Sequence, residues 1–167
     1  MGSGVANGGL MRVWVRLLLT CMALAGAHPA LAGCAPGVVE LQGPRGVSRF
    51  TVEVADTDAT RSRGLMFRDR MATSAGMLFV YDRPARAVFW MKNTLIPLDM
   101  IFADATGTVQ RVHENAVPHD ESAIDGGAGV LAVLEINGGL ARRLAIGPGT
   151  VMRHPAFAGG PAAWPCN

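Results

Sequence analysis

Apolar and polar residues alternate over "SRFTVEVA" at residues 48–55, where Phe50, Val52 and Val54 are separated by Thr51 and Glu53. A period of two is that of a strand with one buried face. "GMLFVY" at 76–81 and "VLAVLEI" at 130–136 are instead nearly continuous apolar runs, as expected of strands covered on both faces. Alternation fails over "DTDATRSRGLMFRDRM" at 56–71, which predicts a short helix capped by Thr57 or Asp58 and ended near Gly64. A second short helix is predicted in "NGGLARRLAIGPGT" at 137–150, with Asn137 as its cap, Leu140, Leu144 and Ile146 buried, and Gly147 at its end. Between these lie "DRPAR" at 82–86, read as a turn, and strands over 108–113 and in "TVMRH" at 150–154. The polar, glycine-rich stretch 114–129 reads as a sixteen-residue surface loop. Six or seven short strands, two short helices and no strand-helix alternation predict a mainly β (α+β) chain, a compact antiparallel β-sandwich or barrel-like domain.

One stretch breaks the pattern. "FWMKNTLIPLDMIF" at 89–102 places Lys92, Asn93, Thr94 and Asp99 inside an apolar run. Pro97 has no N–H for a ladder and belongs at a strand start, so the stretch reads as a hairpin with strands over 88–94 and 98–103 and "TLIP" between them. A turn centred between Leu95 and Ile96 sets Lys92 opposite Asp99 and Asn93 opposite Leu98.

The ends of the chain change its charge. Arg12 and Arg16 precede an apolar run of about eleven residues at 17–27 and the small-residue segment "HPALAGC", the order of a cleaved secretory signal over residues 1–32; the run is far shorter than the roughly 20 residues of a spanning helix. "ALA" at 30–32 suits cleavage before Gly33, whereas "LAGC" at 31–34 resembles a lipobox that would lipidate Cys34. Export, most simply to a periplasm, leaves Cys34 and Cys166 as an even pair suited to a disulfide; the alternative is a lipid anchor through Cys34, and only then a membrane contact. Removal of the signal lowers 15 basic against 13 acidic residues to 13 against 13. A neutral chain without a basic stripe gives no electrostatic case for nucleic acid. Residues 33–47 read as an N-terminal linker and 154–167 as a Pro/Gly/Ala-rich tail pinned by Trp164 and Cys166.

Four ordered stretches, "RSRGLMFR" (61–68), "GMLFVY" (76–81), "FWMKNTLIPLDMIF" (89–102) and "VLEINGG" (133–139), resemble the bacterial and archaeal domain of unknown function 192. The resemblance covers residues 48–153. It implies a compact, mainly β sandwich-like fold with small helices, and it implies no activity.

Candidate chemistry gathers on the same stretches. Lys92 and Asp99 read either as an exposed cross-strand ion pair, worth roughly 0.2–1 kcal/mol, or as part of a pocket. In the second reading a buried Asp99 needs partners, with Lys92 and Arg63 available, Asn93 and Thr94 adding hydrogen bonds and Trp90 and Phe89 forming walls. Glu135 ends a strand that is otherwise apolar. A lone carboxylate there is rare, so it is expected to partner an arginine or to form an acid/base pair with Asp99. Methionines at 66, 71, 77, 91, 100 and 152 with His113, His119 and His154 could suit copper, yet they do not cluster in sequence and most sit where methionine fills core gaps; no metal and no cofactor is expected. Nucleophile-elbow, phosphate-loop and dinucleotide motifs are missing. The expected function is therefore binding of a small polar ligand, an envelope component or a peptide-like partner at the hairpin over 90–99. An envelope carbohydrate- or peptide-acting enzyme using Asp99 or Glu135 as acid/base, and a structural module without a ligand, are the alternatives.

Overall fold

The computed structural model describes residues 1–4 and 33–166; the expected signal over residues 1–32, with Arg12, Arg16 and the "ALA" at 30–32, lies outside the described residues apart from its first four positions. Residues 1–4 carry no regular secondary structure. The remainder is built on β1 (Val38–Gly43), β2 (Gly46–Ala55), α1 (Asp58–Arg63), β3 (Ala75–Phe89), β4 (Leu98–Asp104), β5 (Val109–Ala116), β6 (Ile124–Asn137), α2 (Leu140–Leu144) and β7 (Val151–Arg153). They form one seven-stranded sheet in the order β5-β4-β6-β3-β2-β1-β7. Every neighbouring pair is antiparallel except β2 and β3, which are parallel in register Thr51 with Ala75 through Ala55 with Phe79. A parallel pair needs a long crossover, and α1 lies in it. The sheet curls until its edges touch: Thr108 bridges Val151 and the Met152 amide donates to the Gly107 carbonyl at 2.7 Å. The mainly β expectation holds, as a curled half-barrel with two short helices.

Period-two alternation divides the buried side chains between two faces. Leu78, Ile101, Leu134 and Ile136 join Val39, Leu41, Phe50 and Met152 in one cluster, which Leu140, Ile146 and Phe157 complete. Met77, Phe79, Met100, Phe102 and Val133 point the other way, into a second cluster closed by Leu65, Met91 and Ile96 from the loops. β6 contributes to both, which explains its unbroken apolar reading.

Four expectations are corrected. The stretch 33–47 is no linker, because β1 lies in it and is paired on both sides, with β2 and β7. "DRPAR" does not turn the chain: it is a bulge within β3, where β3 advances from Val80 to Ala85 while β6 advances only from Ala132 to Val130. Pro84 cannot donate to a ladder, and a bulge is where a strand tolerates it. The sixteen-residue loop shrinks to residues 117–123, since β5 continues to Ala116 and β6 begins at Ile124. Of its glycines, Gly126 serves packing, since a Cβ there would lie 2.1 Å from the Phe102 ring, while Gly127 and Gly129 take left-handed backbone at φ +89° and +74°. Finally, the hairpin over 88–103 does not form. β3 ends at Phe89 and β4 pairs with β5 and β6, setting Asp99 beside Ile136. The chain between is held by the 117–120 loop, with the Met91 amide donating to the Asp120 carbonyl and the His119 amide to the Met91 carbonyl.

α1 begins as expected. Thr57 accepts from the Thr60 amide and Thr60 answers at the Thr57 amide, a reciprocal cap, and Gly64 ends the helix. α2 does not use Asn137. The Asn137 side chain donates to the Met71 and Ala72 carbonyls, and the amides at the start of α2 donate to Asp99 instead. The tail is tied down by a Cys34–Cys166 disulfide across 132 residues and by Trp164, whose ring lies 5.2 Å from the Arg153 guanidinium carbon. In the chain-entropy account a closure of that length stabilises by at most roughly 5 kcal/mol.

Candidate functional site

A cavity of about 400 Å³ opens between α1 with the loop after it, β3 and β6. Strand alternation builds one wall: Phe79 and Tyr81 follow Met77 on the same face of β3, and Phe89 meets Phe79 edge to face at 5.0 Å. Gly64 brings α1 against that wall, at φ +50° and with Phe79 only 3.2 Å from where a Cβ would sit. Trp90, 48 % exposed, stands at the mouth, and the Lys92 Nζ lies 5.1 Å from its ring centre and 3.9 Å from Glu121.

α1 supplies the polar side. The Arg61 guanidinium donates to the Asp56 carbonyl at 2.6 Å and the Val80 carbonyl at 2.7 Å, pairs with Asp58 at 2.6 Å, and lies 5.4 Å from the Tyr81 ring centre. It is a fixed strut of the wall. Arg63, one helix face away, is exposed and lines the cavity with Ser62; its guanidinium has no hydrogen bond or ion pair among the described residues.

Glu135 reaches the cavity from β6. Its ladder neighbours are Met77 and Met100, its exposure is 4 %, and its carboxyl makes no hydrogen bond or ion pair among the described residues. Burial alone pushes this acid up to about 8, because the charged form has lost its water without gaining a partner. At neutral pH the carboxyl is therefore protonated and can donate a hydrogen bond. The same surroundings raise the Tyr81 phenol, first through burial, an effect that the Arg61 charge opposes and Glu135 reinforces. Thr94, 5 % exposed, also lines the cavity and donates to the Lys92 carbonyl.

Of the residues singled out in the sequence, Arg63, Trp90, Lys92, Thr94 and Glu135 line this one cavity, while Asn93 and Asp99 do not. Asn93 takes a left-handed turn at φ +54° and its carbonyl accepts from the Phe67 amide. Asp99 is wholly buried elsewhere. It accepts from the amides of Asn115 at 2.7 Å, Gly139 at 2.8 Å and Ala141 at 2.7 Å, and it meets neither Lys92 nor Arg63. The acid/base pairing with Glu135 is also overturned. Asp99 is level with Ile136 and Glu135 with Met100, so alternation sends the two carboxyls to opposite faces of the sheet. Nor does Glu135 partner an arginine. Reasoning from sequence missed Arg61 and Tyr81; the period of two from Met77 through Phe79 was the signal that could have found Tyr81. Among the described residues no group of three or more His, Cys, Asp and Glu could hold a metal ion.

A model of the DUF192 family, described as "Uncharacterized ACR", matches residues 39–154. No curated protein matches the chain. A protein of unknown function from Novosphingobium aromaticivorans DSM 12444 is 41 % identical, with 76 % of this chain and 98 % of that one covered at a TM-score of 0.69. A candidate transcription regulator from Sinorhizobium meliloti 1021 is also 41 % identical, with 74 % and 97 % covered at a TM-score of 0.70.

Proposed function

We propose, for a chain that belongs to the DUF192 family, that it is exported and binds a small polar ligand in the cavity floored by Glu135. The observation that carries the reading is the unpartnered carboxyl itself. A buried acid with no partner lowers stability, and one that opens into an aromatic-walled cavity has a reason to be there only when something else fills the place beside it. Arg63 and Lys92 at the mouth supply charge for recognition, and Phe79, Phe89 and Trp90 supply apolar surface. Relative to the expectation from sequence, the ligand moves away from the stretch 90–99 as a whole, onto its first half.

Nucleic acid, raised by the description of the Sinorhizobium protein, finds less support. Arg68, Arg86 and Arg142 are each paired with an acid, Glu53, Asp125 and Glu114 respectively. Basic and acidic residues are equal in number over residues 33–167, so the surface carries no formal net positive charge to draw a phosphate backbone. A second reading, an envelope enzyme, is favoured by one fact: Glu135 is pushed up to about 8, a range suited to a general acid at neutral pH. Asp99 is not available to it as a partner, so Glu135 would act alone or with Tyr81.

Native mass spectrometry of protein purified from its own compartment tests the binding reading. The wild type is expected to carry a small-molecule adduct that is lost in the double variant Arg63→Ala, Trp90→Ala, both exposed positions. A wild type that arrives bare, and from which nothing can be extracted, would overturn it.

A further inference from the structure

Resting on that reading of the cavity, we infer that its ligand is a small carboxylate with a flat apolar body and a neutral oxygen acceptor, a carbonyl or hydroxyl, at the far end from the carboxylate. Three features of the wall select this class. First, the charge is one-sided: Arg61, Arg63 and Lys92 line the cavity, while Asp58 is held by Arg61 and Glu121, outside the lining, lies 3.9 Å from Lys92. Arg63 is the group left to receive an anion, and its planar fork matches a carboxylate bidentately. Second, the body is bounded by rings, with Phe79 and Phe89 on one side and Trp90 at the mouth. Third, the floor is a donor. The Glu135 carboxyl is protonated at neutral pH, so it asks for an acceptor and not for a second donor.

An ammonium ligand is the competing class, since it would draw the proton from Glu135 and pair with the carboxylate. To reach the floor it must pass Arg63 and Lys92. The titratable or charged groups that line the cavity with Glu135 are Tyr81 from β3, Asp58, Arg61 and Arg63 from α1, and Lys92 from the loop after β3, with Glu121 beside Lys92 at the mouth; β4 presents Met100 to Glu135, and Asp99 lies on the other face of the sheet. This surrounding set is cationic in sum and favours the anion.

Three isosteric probes separate the features. 4-Acetylbenzoate has all three, 4-isopropylbenzoate lacks the acceptor, and 4-acetylbenzylamine reverses the charge. Each is titrated at millimolar concentration into the full-length protein, following the Trp90 indole N–H by NMR after assignment with Trp90→Phe. 4-Acetylbenzoate is expected to bind at least about tenfold more tightly than either analogue and to weaken about tenfold in Arg63→Ala. Because it binds the protonated acid, its affinity is expected to fall by about tenfold per pH unit above 8 in the wild type and to stay level in Glu135→Gln, whose amide still donates. Tighter binding of the amine, or equal binding of the acetyl and isopropyl acids, would overturn this ligand class and leave the cavity as a binding site. Silence of the Trp90 resonance to all three would overturn both this inference and the reading it rests on.

Discussion

Asp99→Ala is expected to lower the free energy of unfolding by about 3–5 kcal/mol, the largest effect of any single side chain truncation considered. The Asp99 carboxylate accepts three amide hydrogen bonds between 2.7 and 2.8 Å, at a position with no exposure. These bonds join three parts of the chain: the end of strand β5 at Asn115, the link after β6 at Gly139, and the first turn of α2 at Ala141. Alanine leaves three amide donors without their acceptor, the buried Ala141 amide at a cost of about 1–3 kcal/mol and the part-buried amides of Asn115 and Gly139 at the lower end of that range, and it removes the cap that Asn137 does not provide. Asp99→Asn separates charge from geometry. Its amide oxygen can still receive Asn115 and Gly139, which bond to one carboxylate oxygen, but its NH₂ then meets the Ala141 amide, donor against donor. An intermediate loss is expected. Urea unfolding followed by circular dichroism checks both, and a loss below about 1 kcal/mol for the alanine variant would show that Asp99 is no lock.

Glu135→Gln is expected to do the reverse, and in a pH-dependent way. An acid whose folded pKa is raised from 4.5 to about 8 binds its proton more tightly in the folded state. Its contribution is fully present below pH 4.5 and is lost as pH rises through about 8. The wild type should therefore lose stability across that window, while the glutamine variant has no such loss. At pH 8 the variant should be more stable by roughly 2–4 kcal/mol, a figure reduced from the full linkage because the new amide also lacks a partner. Near pH 4 the gain should vanish. Urea unfolding at a series of pH values reads the difference directly. If both proteins follow the same curve, Glu135 is not a buried, unpartnered acid.

Taken together, the two carboxyls that looked alike in the sequence have opposite energetic signs. Each sits in an apolar run, Asp99 between Leu98 and Met100 and Glu135 between Leu134 and Ile136. What separates them is the neighbouring backbone. The bulge that shifts the β4–β5 register and the turn into α2 aim amides at Asp99, whereas Glu135 faces side chains only. Amide direction depends on φ and ψ at positions such as Asn115 and Gly139, both left-handed, and residue type alone does not reveal which side chain those amides will find.

Local signals proved legible where the cause is local. Alternation found β2, and Thr57 with Gly64 bounded α1 because caps act within one turn. Neighbour choice was not legible. The hairpin arithmetic assumed that β4 pairs with the segment immediately before it, but β4 lies between β5 and β6, and β6 alone satisfies its other edge. Lys92 thereby lost Asp99 as a partner and gained Glu121 and Trp90. The cavity residues were nonetheless drawn from the right stretches, since Arg63, Trp90 and Lys92 converge through the α1 crossover that makes β2 and β3 parallel.

Glu135, a buried acid without a partner on the cavity wall, is protonated at neutral pH. Its side-chain carboxyl carbon resonance, titrated by NMR from pH 4 to pH 10 and assigned with Glu135→Gln, reads that state at the atom concerned. A single midpoint near 8 is the predicted result, and a midpoint in the ordinary glutamate range near 4.5 would contradict it.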